Sequence, residues 1–278
     1  MFLQKSPNSK AELPSLASSI ANVLLKAAEK VVMPRFRNLV EGDVREKSPG
    51  DLVTIADFEA EEMIASGLAS LCPSARVVGE EACARDPSLL NGIDKGEVWI
   101  VDPIDGTGNF AAGREPFAMM AAYVCEGEII ASCILNPASR AMITAERGHG
   151  AWQDGYRINP GEGRTRPQTF TGIVSNFQRR LAMEPRMERL AQKVSQVHPT
   201  RRCAGAEYPL LASGVHDFAM YWRTLVWDHA AGILILEEAG GKAGRLDGSP
   251  YRVGDISGEG LLLAGSPEKW DQIAAILA

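Results

Sequence analysis

The chain has 278 residues, 45% of them hydrophobic and 23% charged, and a formal net charge of −6. That length suffices for a substantial core in one or two domains, and the composition excludes wholesale disorder and fibrous repeats. The acidic balance argues against a nucleic-acid or anionic-membrane partner, and no apolar run reaches the roughly 18–20 residues of a membrane span.

In chain order, the opening Met1–Lys10 lacks the apolar stretch of a signal peptide. Periodic apolar residues at Leu16, Ile20, Val23, Leu24, Ala27 and Val31 predict a helix from Pro14 to about Phe36, kinked or ended by Pro34. The polar stretch Glu41–Asp51 reads as a turn or hairpin. Thr54 followed by Asp57 has the spacing of a capping box, opening a second helix with Ile64 and Leu68 inward. Ala75–Val78 and Val98–Val101 are short buried strands.

From Phe117 the pattern changes. Phe117–Cys125, Glu128–Leu135 and Arg140–Glu146 are strand-like runs separated by turn residues, which predicts an antiparallel meander. Gly161–Pro167 is a polar break and a boundary between halves at 1–160 and 161–278, together one catalytic unit. Beyond it come a strand at Gly172–Ser175 and helices at Glu184–Gln196, Glu207–Ser213 and Trp227–Ala239, the last stopped by Gly240-Gly241. Leu261–Ala264 is a buried strand, and Pro267 opens a terminal helix. The irregular alternation predicts sheets layered between helix pairs. Five scattered cysteines (Cys72, Cys83, Cys125, Cys133, Cys203) point to a reducing, cytoplasmic setting without a disulfide frame or zinc knuckle.

The segment Val98-Trp99-Ile100-Val101-Asp102-Pro103-Ile104-Asp105-Gly106-Thr107 carries the most chemistry. An apolar strand ends in one carboxylate, and a proline turn presents a second. Gly106 allows close backbone approach, and Thr107 adds a hydroxyl. Two such carboxylates can converge on a hard cation such as Mg²⁺, while amides from Gly106 onward can form an anion nest. The same turn can equally serve only its own hydrogen bonds. Three further acidic segments accompany it: Asp51 to Asp57, Val78-Gly79-Glu80-Glu81, and Trp227-Asp228-His229-Ala230-Ala231-Gly232. Each alone has a local explanation as a solvated acid, a helix cap or a helix-dipole partner. All of them together, in this order, argue against coincidence.

These motifs (D-x-V-T-x-A-D, G-E-E, W-I-V-D-P-I-D-G-T and W-D-x-A-A-G) resemble the successive signatures of the inositol monophosphatase family, the Mg²⁺-dependent, lithium-sensitive phosphatases. The resemblance implies an α/β (α+β) layered sandwich, α/β/α/β/α, in a homodimer. It implies that Glu80, Asp102 and the Ile104 carbonyl hold one Mg²⁺, and that Asp102, Asp105 and Asp228 hold a second. Glu80 would also help a third, with Mn²⁺ as a substitute. Thr107 and Asp57, with Glu80, would activate the attacking water. Gly106 and Thr107 would grip the phosphate, with Asp105 and Asp228 beside the substrate. Metal-generated hydroxide explains why no histidine or cysteine nucleophile is needed; His229 is read as structural.

The expected substrate is a small polyol or sugar-like phosphate monoester of the inositol-1-phosphate type. Alternatives are histidinol phosphate, fructose 1,6-bisphosphate and adenosine 3',5'-bisphosphate, or a non-catalytic relative that binds a protein or RNA partner. The substrate-selecting region departs from the family pattern. Tyr221 stands where inositol-selective members carry a glutamate, and Cys203-Ala204-Gly205-Ala206-Glu207 replaces a G-[ST]-A-A stretch. Glu207 either caps its helix or touches substrate. Tyr221 and Trp222 either pack in the core or line an altered pocket.

Overall fold

The computed structural model describes residues 15–160, 163–176, 184–255 and 260–278. Met1–Lys10, Pro14 and the first part of the polar break (161–162) lie outside them. Helix α1 (Ser15–Ala27) runs through a π-helical turn, Ala28–Val32, into the short α2 (Met33–Arg35). Pro34 therefore does not end the helix at once. It has no N–H for the carbonyl one turn back, and the chain loosens ahead of it, with the Met33 N–H reaching Ala28 O.

The polar stretch is an antiparallel hairpin of β1 (Val44–Ser48) and β2 (Asp51–Thr54). It feeds α3 (Ile55–Leu71), whose capping box forms as the spacing predicts: Thr54 Oγ1 accepts from the Ala56 N–H at 3.2 Å, and Asp57 Oδ2 accepts from the Thr54 N–H at 2.8 Å. Ile64 and Leu68 are fully buried.

The first sheet contains β3 (Arg76–Gly79), β4 (Glu97–Asp105), β5 (Ala118–Cys125), β6 (Glu128–Leu135), β7 (Met142–Glu146), β8 (Gly150–Gln153) and β9 (Tyr156–Ile158), in that spatial order. Only β3 and β4 are parallel; the rest form the expected meander, extended by β8 and β9. Trp99 and Val101 of β4 face one hydrophobic cluster, Val98 and Ile100 another. Cover on both faces explains a strand written as a continuous apolar run. Short helices follow β3 and β4: α4 (Glu80–Arg85) and α5 (Thr107–Ala111).

The second sheet has the order β11-β10-β12-β14-β13, with β10 (Thr171–Val174), β11 (Gln196–Pro199), β12 (Phe218–Tyr221), β13 (Lys242–Arg245) and β14 (Leu261–Ala264). Strands β10, β11 and β12 are mutually parallel. Helix α6 (Pro185–Lys193) stops before Gln196, which is in β11 rather than at the helix end. Helix α7 (Ala204–Ala212) starts three residues earlier than its sequence suggests. Helix α8 (Val226–Glu238) ends at Gly240, which adopts a left-handed φ of 101°, and α9 (Pro267–Leu277) is capped by Ser266.

Alternation assigns the layers. Ala219, Tyr221, Leu261 and Leu263 face α7 and α8, whereas Phe218, Met220, Leu262 and Ala264 face α6 and α9. Helices α1 and α3 cover the far side of the first sheet. The order is thus helix pair, sheet, helix pair, sheet, helix pair. Because α8 lies between the sheets, Ile233, Leu234, Ile235 and Leu236 are all buried, each contributing about 1.5–3 kcal/mol. Its approach to α7 requires a glycine: a Cβ on Gly232 would lie 2.2 Å from the Tyr208 ring.

Candidate active site

Strand β4 delivers the first two carboxylates through a register break. Asp102 lies opposite Met120 and Asp105 opposite Ala118, so β4 carries an extra residue there and turns its end toward the central helices. The parallel register pairs Gly79 with Val101, which sets Glu80 at the end of β3 beside Asp102 at the end of β4. After Asp105 the chain turns at Gly106, with φ of 87°; a Cβ there would approach Pro116 O at 3.1 Å and Arg202 O at 3.2 Å. Glycine is required both by the conformation and by the space.

Thr107, the first residue of α5, has two acceptors for its one hydroxyl proton: Asp57 Oδ1 at 3.0 Å and Ile104 O at 2.9 Å. Asp57 is held in place from its other oxygen by the Thr54 N–H and hydroxyl, at 2.8 and 2.6 Å. The capping box of α3 is therefore also the support of the Thr107–Asp57 pair. Asp228 enters from the first turn of α8. Asp105 Oδ2 accepts from the Gly205 N–H at 2.5 Å, tying β4 to the start of α7.

Glu80, Asp102, Ile104, Asp105, Gly106, Thr107, Asp228, Glu207 and Tyr221 all line one cavity of about 470 Å³; Asp57 reaches it through Thr107. Burial raises the Asp102 carboxyl well above the usual carboxylate range, helped by Glu80, Asp105 and Asp228. Asp228 is raised well above that range for the same reasons, with Arg223 opposing. Burial also pushes Asp105 and Asp57 up to about 6. Asp102 Oδ1 is buried without a hydrogen-bond partner. An unpaired buried acceptor among repelling carboxylates is the environment a hard cation relieves, and the all-oxygen donor set suits one.

The ligand candidates are not drawn together as they stand: among the described residues no three His, Cys, Asp or Glu side chains form a group able to hold an ion. One candidate, Glu80, is paired with Lys47 of β1. Its ammonium donates to Glu80 Oε1 at 2.6 Å and Glu81 Oε1 at 2.9 Å. Burial works against that ammonium, but Glu80 and Glu81 outweigh it and raise its pKa. Sequence reasoning missed Lys47, which sits in a polar hairpin with no periodic signal. It also missed Glu61, whose carboxylate accepts from the Glu81 and Ala82 N–H groups at 2.7 and 2.8 Å and anchors α4.

Glu207 is not a helix cap. Cys203 is the N-cap residue of α7, and the Glu207 carboxylate accepts instead from the Arg201 N–H and the Tyr221 hydroxyl. The three small residues that open α7 give no side-chain signal of its true start. Tyr221 is both core and pocket wall, whereas Trp222 packs in the outer cluster under α6 and α9. His229 is buried and hydrogen-bonded, as a structural residue should be: Nε2 donates to Arg223 O at 3.3 Å and Nδ1 accepts from the Tyr208 hydroxyl at 3.0 Å. Burial lowers its pKa to about 4, so the ring is neutral. The cysteines are all free thiols.

The chain is similar to known proteins along nearly its whole described length. The profile of the inositol monophosphatase family matches residues 15–277. An inositol-1-monophosphatase of Rhizobium meliloti is 31% identical over 246 residues, covering 86% of this chain and 91% of the relative. A fructose-1,6-bisphosphatase/inositol-1-monophosphatase of Thermotoga maritima is 33% identical over 202 residues, covering 70% and 73%. The crystal structure of the extragenic suppressor protein suhB from Bartonella henselae superposes with a TM-score of 0.79 at 25% identity, covering 95% and 98%. The chain belongs to the inositol monophosphatase family and is a phosphoric monoester hydrolase.

Proposed function

We propose that this hydrolase acts on a small polyol or sugar-like phosphate monoester, of the inositol-1-phosphate type, by Mg²⁺-activated water. The observation that carries the reading is the Thr107 hydroxyl within 3.0 Å of Asp57, beside the unpartnered oxygen of Asp102. Glu80, Asp102, Asp105, Asp228 and the Ile104 carbonyl would hold two or three Mg²⁺ ions, or Mn²⁺ in their place. Bound there, the ions would lower the pKa of water toward neutrality and neutralise the leaving alkoxide. The chain supplies orientation and proton transfer. Thr107 donates to Asp57, which leaves the hydroxyl oxygen free to accept from an attacking water. Asp57, with a pKa of about 6, is ionised at neutral pH and takes the proton through that hydroxyl. Amides at the start of α5, released from intrahelical pairing, face the phosphate at Gly106 and Thr107.

Lithium sensitivity, a cytoplasmic homodimer and two halves meeting at about residue 160 belong to the same reading. Among the described residues no helix is long and apolar enough to cross a membrane. The names of the relatives differ, so the substrate is the open choice among inositol 1-phosphate, histidinol phosphate, fructose 1,6-bisphosphate and adenosine 3',5'-bisphosphate. The reading as a non-catalytic partner-binding relative is disfavoured because every carboxylate the family motif requires is present. Phosphate release from these compounds, with Mg²⁺ and then with excess EDTA, tests the proposal. Release from at least one that stops on chelation is expected; no release from any would overturn it.

A further inference from the structure

Strands β10, β11 and β12 are parallel, so their C-terminal ends share one edge of the sheet. In open α/β sheets that edge is where ligands sit. The residues that follow these strands (Ser175 and Asn176, Thr200 and Arg202, and Arg223 after Tyr221) line the same cavity as the carboxylates of the first sheet. Because β10 lies between β11 and β12, the two arginine-bearing loops start two strand spacings apart, about 10 Å.

Both arginines are exposed, and among the described residues neither guanidinium has an ion-pair or hydrogen-bond partner. Arg202 is moreover held in the left-handed region, at φ of 56°, where a long side chain is uncommon. The turn that holds it is fixed on both sides: Asn109 Nδ2 donates to Arg201 O at 3.0 Å, and Arg202 O packs where a Cβ on Gly106 would be. Arg223 is fixed through its carbonyl, which accepts from His229. Between them, the Tyr221 hydroxyl is already committed to Glu207. The substrate end of the cavity thus presents unpaired cations and a satisfied tyrosine, a poor match for a neutral polyol and a good one for an anion held by guanidinium forks.

Resting on the phosphatase reading above, we infer that Arg202 and Arg223 form a second anion subsite. The substrate they select is a phosphate monoester carrying an additional anionic group, a carboxylate or a second phosphate, on the fragment that leaves.

Matched pairs test this. Glycerol 3-phosphate against 3-phosphoglycerate probes a carboxylate, and fructose 1-phosphate against fructose 1,6-bisphosphate probes a second phosphate. The wild-type ratio of kcat/KM should favour the doubly anionic member of at least one pair, and which pair responds identifies the anion. In Arg223→Gln and Arg202→Gln that ratio should fall by about 10- to 100-fold, the scale of a lost hydrogen bond to a charged group. Each ratio is internal to one preparation, so misfolded protein cancels. A wild-type ratio near one for both pairs, or variants that lower both members equally, would overturn the subsite and leave the phosphatase reading intact. Absence of turnover on every member would overturn the subsite, and the phosphatase reading would fall with it only if inositol 1-phosphate, histidinol phosphate and adenosine 3',5'-bisphosphate also release no phosphate.

Discussion

Glu207 offers a measurable account of the pocket wall. It is fully buried, and burial pushes its carboxyl from 4.5 up to about 7 despite the hydrogen bonds from Tyr221 and Arg201. A carboxyl whose folded pKa exceeds its unfolded value favours the fold while protonated. That advantage is complete below about 4.5 and is lost as pH rises through about 7. At 1.36 kcal/mol per unit, the full loss is about 3 kcal/mol. Glu207→Gln removes the charge and keeps both contacts, since the amide oxygen accepts from Arg201 and the amide nitrogen donates to the Tyr221 oxygen. Thermal unfolding of metal-free wild type and variant should therefore diverge with pH. The variant should gain on the wild type by about 2 kcal/mol between about pH 5 and about pH 8, roughly 3–4 °C in Tm for a chain of this size. Parallel pH profiles for the two proteins would refute a buried, ionising Glu207.

Other substitutions probe the catalytic pair, the central packing and the metal. Thr107→Ala should lower kcat by about 10²- to 10⁴-fold with little change in KM, and an effect confined to KM would make Thr107 a binding residue. Gly232→Ala drives a methyl into the Tyr208 ring and should cost about 1–3 kcal/mol in chemical denaturation; unchanged stability would contradict the α7–α8 contact. Mg²⁺ or Mn²⁺ should activate and Ca²⁺ inhibit, because Ca²⁺ prefers longer bonds and more ligands. Undiminished turnover in excess EDTA would contradict that ordering.

What could be read from the sequence was local or periodic. The Thr54–Asp57 spacing reports a capping box because both partners lie within one helical turn. The apolar run of β4 and its terminal acids are legible because burial on both faces leaves a continuous signal. The approach of Glu80 to Asp102 depends on the parallel register of β3 and β4, and spacing alone cannot supply it. Strands β11 and β13 escaped notice for a different reason: both are four-residue strands at sheet edges without a clean alternation, Gln196–Pro199 being partly solvated and Lys242–Arg245 buried but with a charged residue at each end. Lys47 lies in a polar hairpin and Arg202 and Arg223 in loops, where only tertiary structure brings the first to Glu80 and the other two to the cavity.

The central claim, a metal held by the β4 carboxylates, is tested most directly by the rise in Tm that Mg²⁺ produces in wild type and in Asp102→Asn. Cations that bind only the folded chain stabilise it by about 2.7 kcal/mol when free metal is about 100 times Kd. The wild type should therefore melt roughly 4–6 °C higher with Mg²⁺. Asp102→Asn removes one buried, raised carboxyl at nearly constant volume, so without metal it should melt at or above the wild-type temperature. Its response to Mg²⁺ should largely vanish. A variant that melts lower without metal and still gains the full Mg²⁺ increment would contradict the account and leave Asp102 as a structural turn acid.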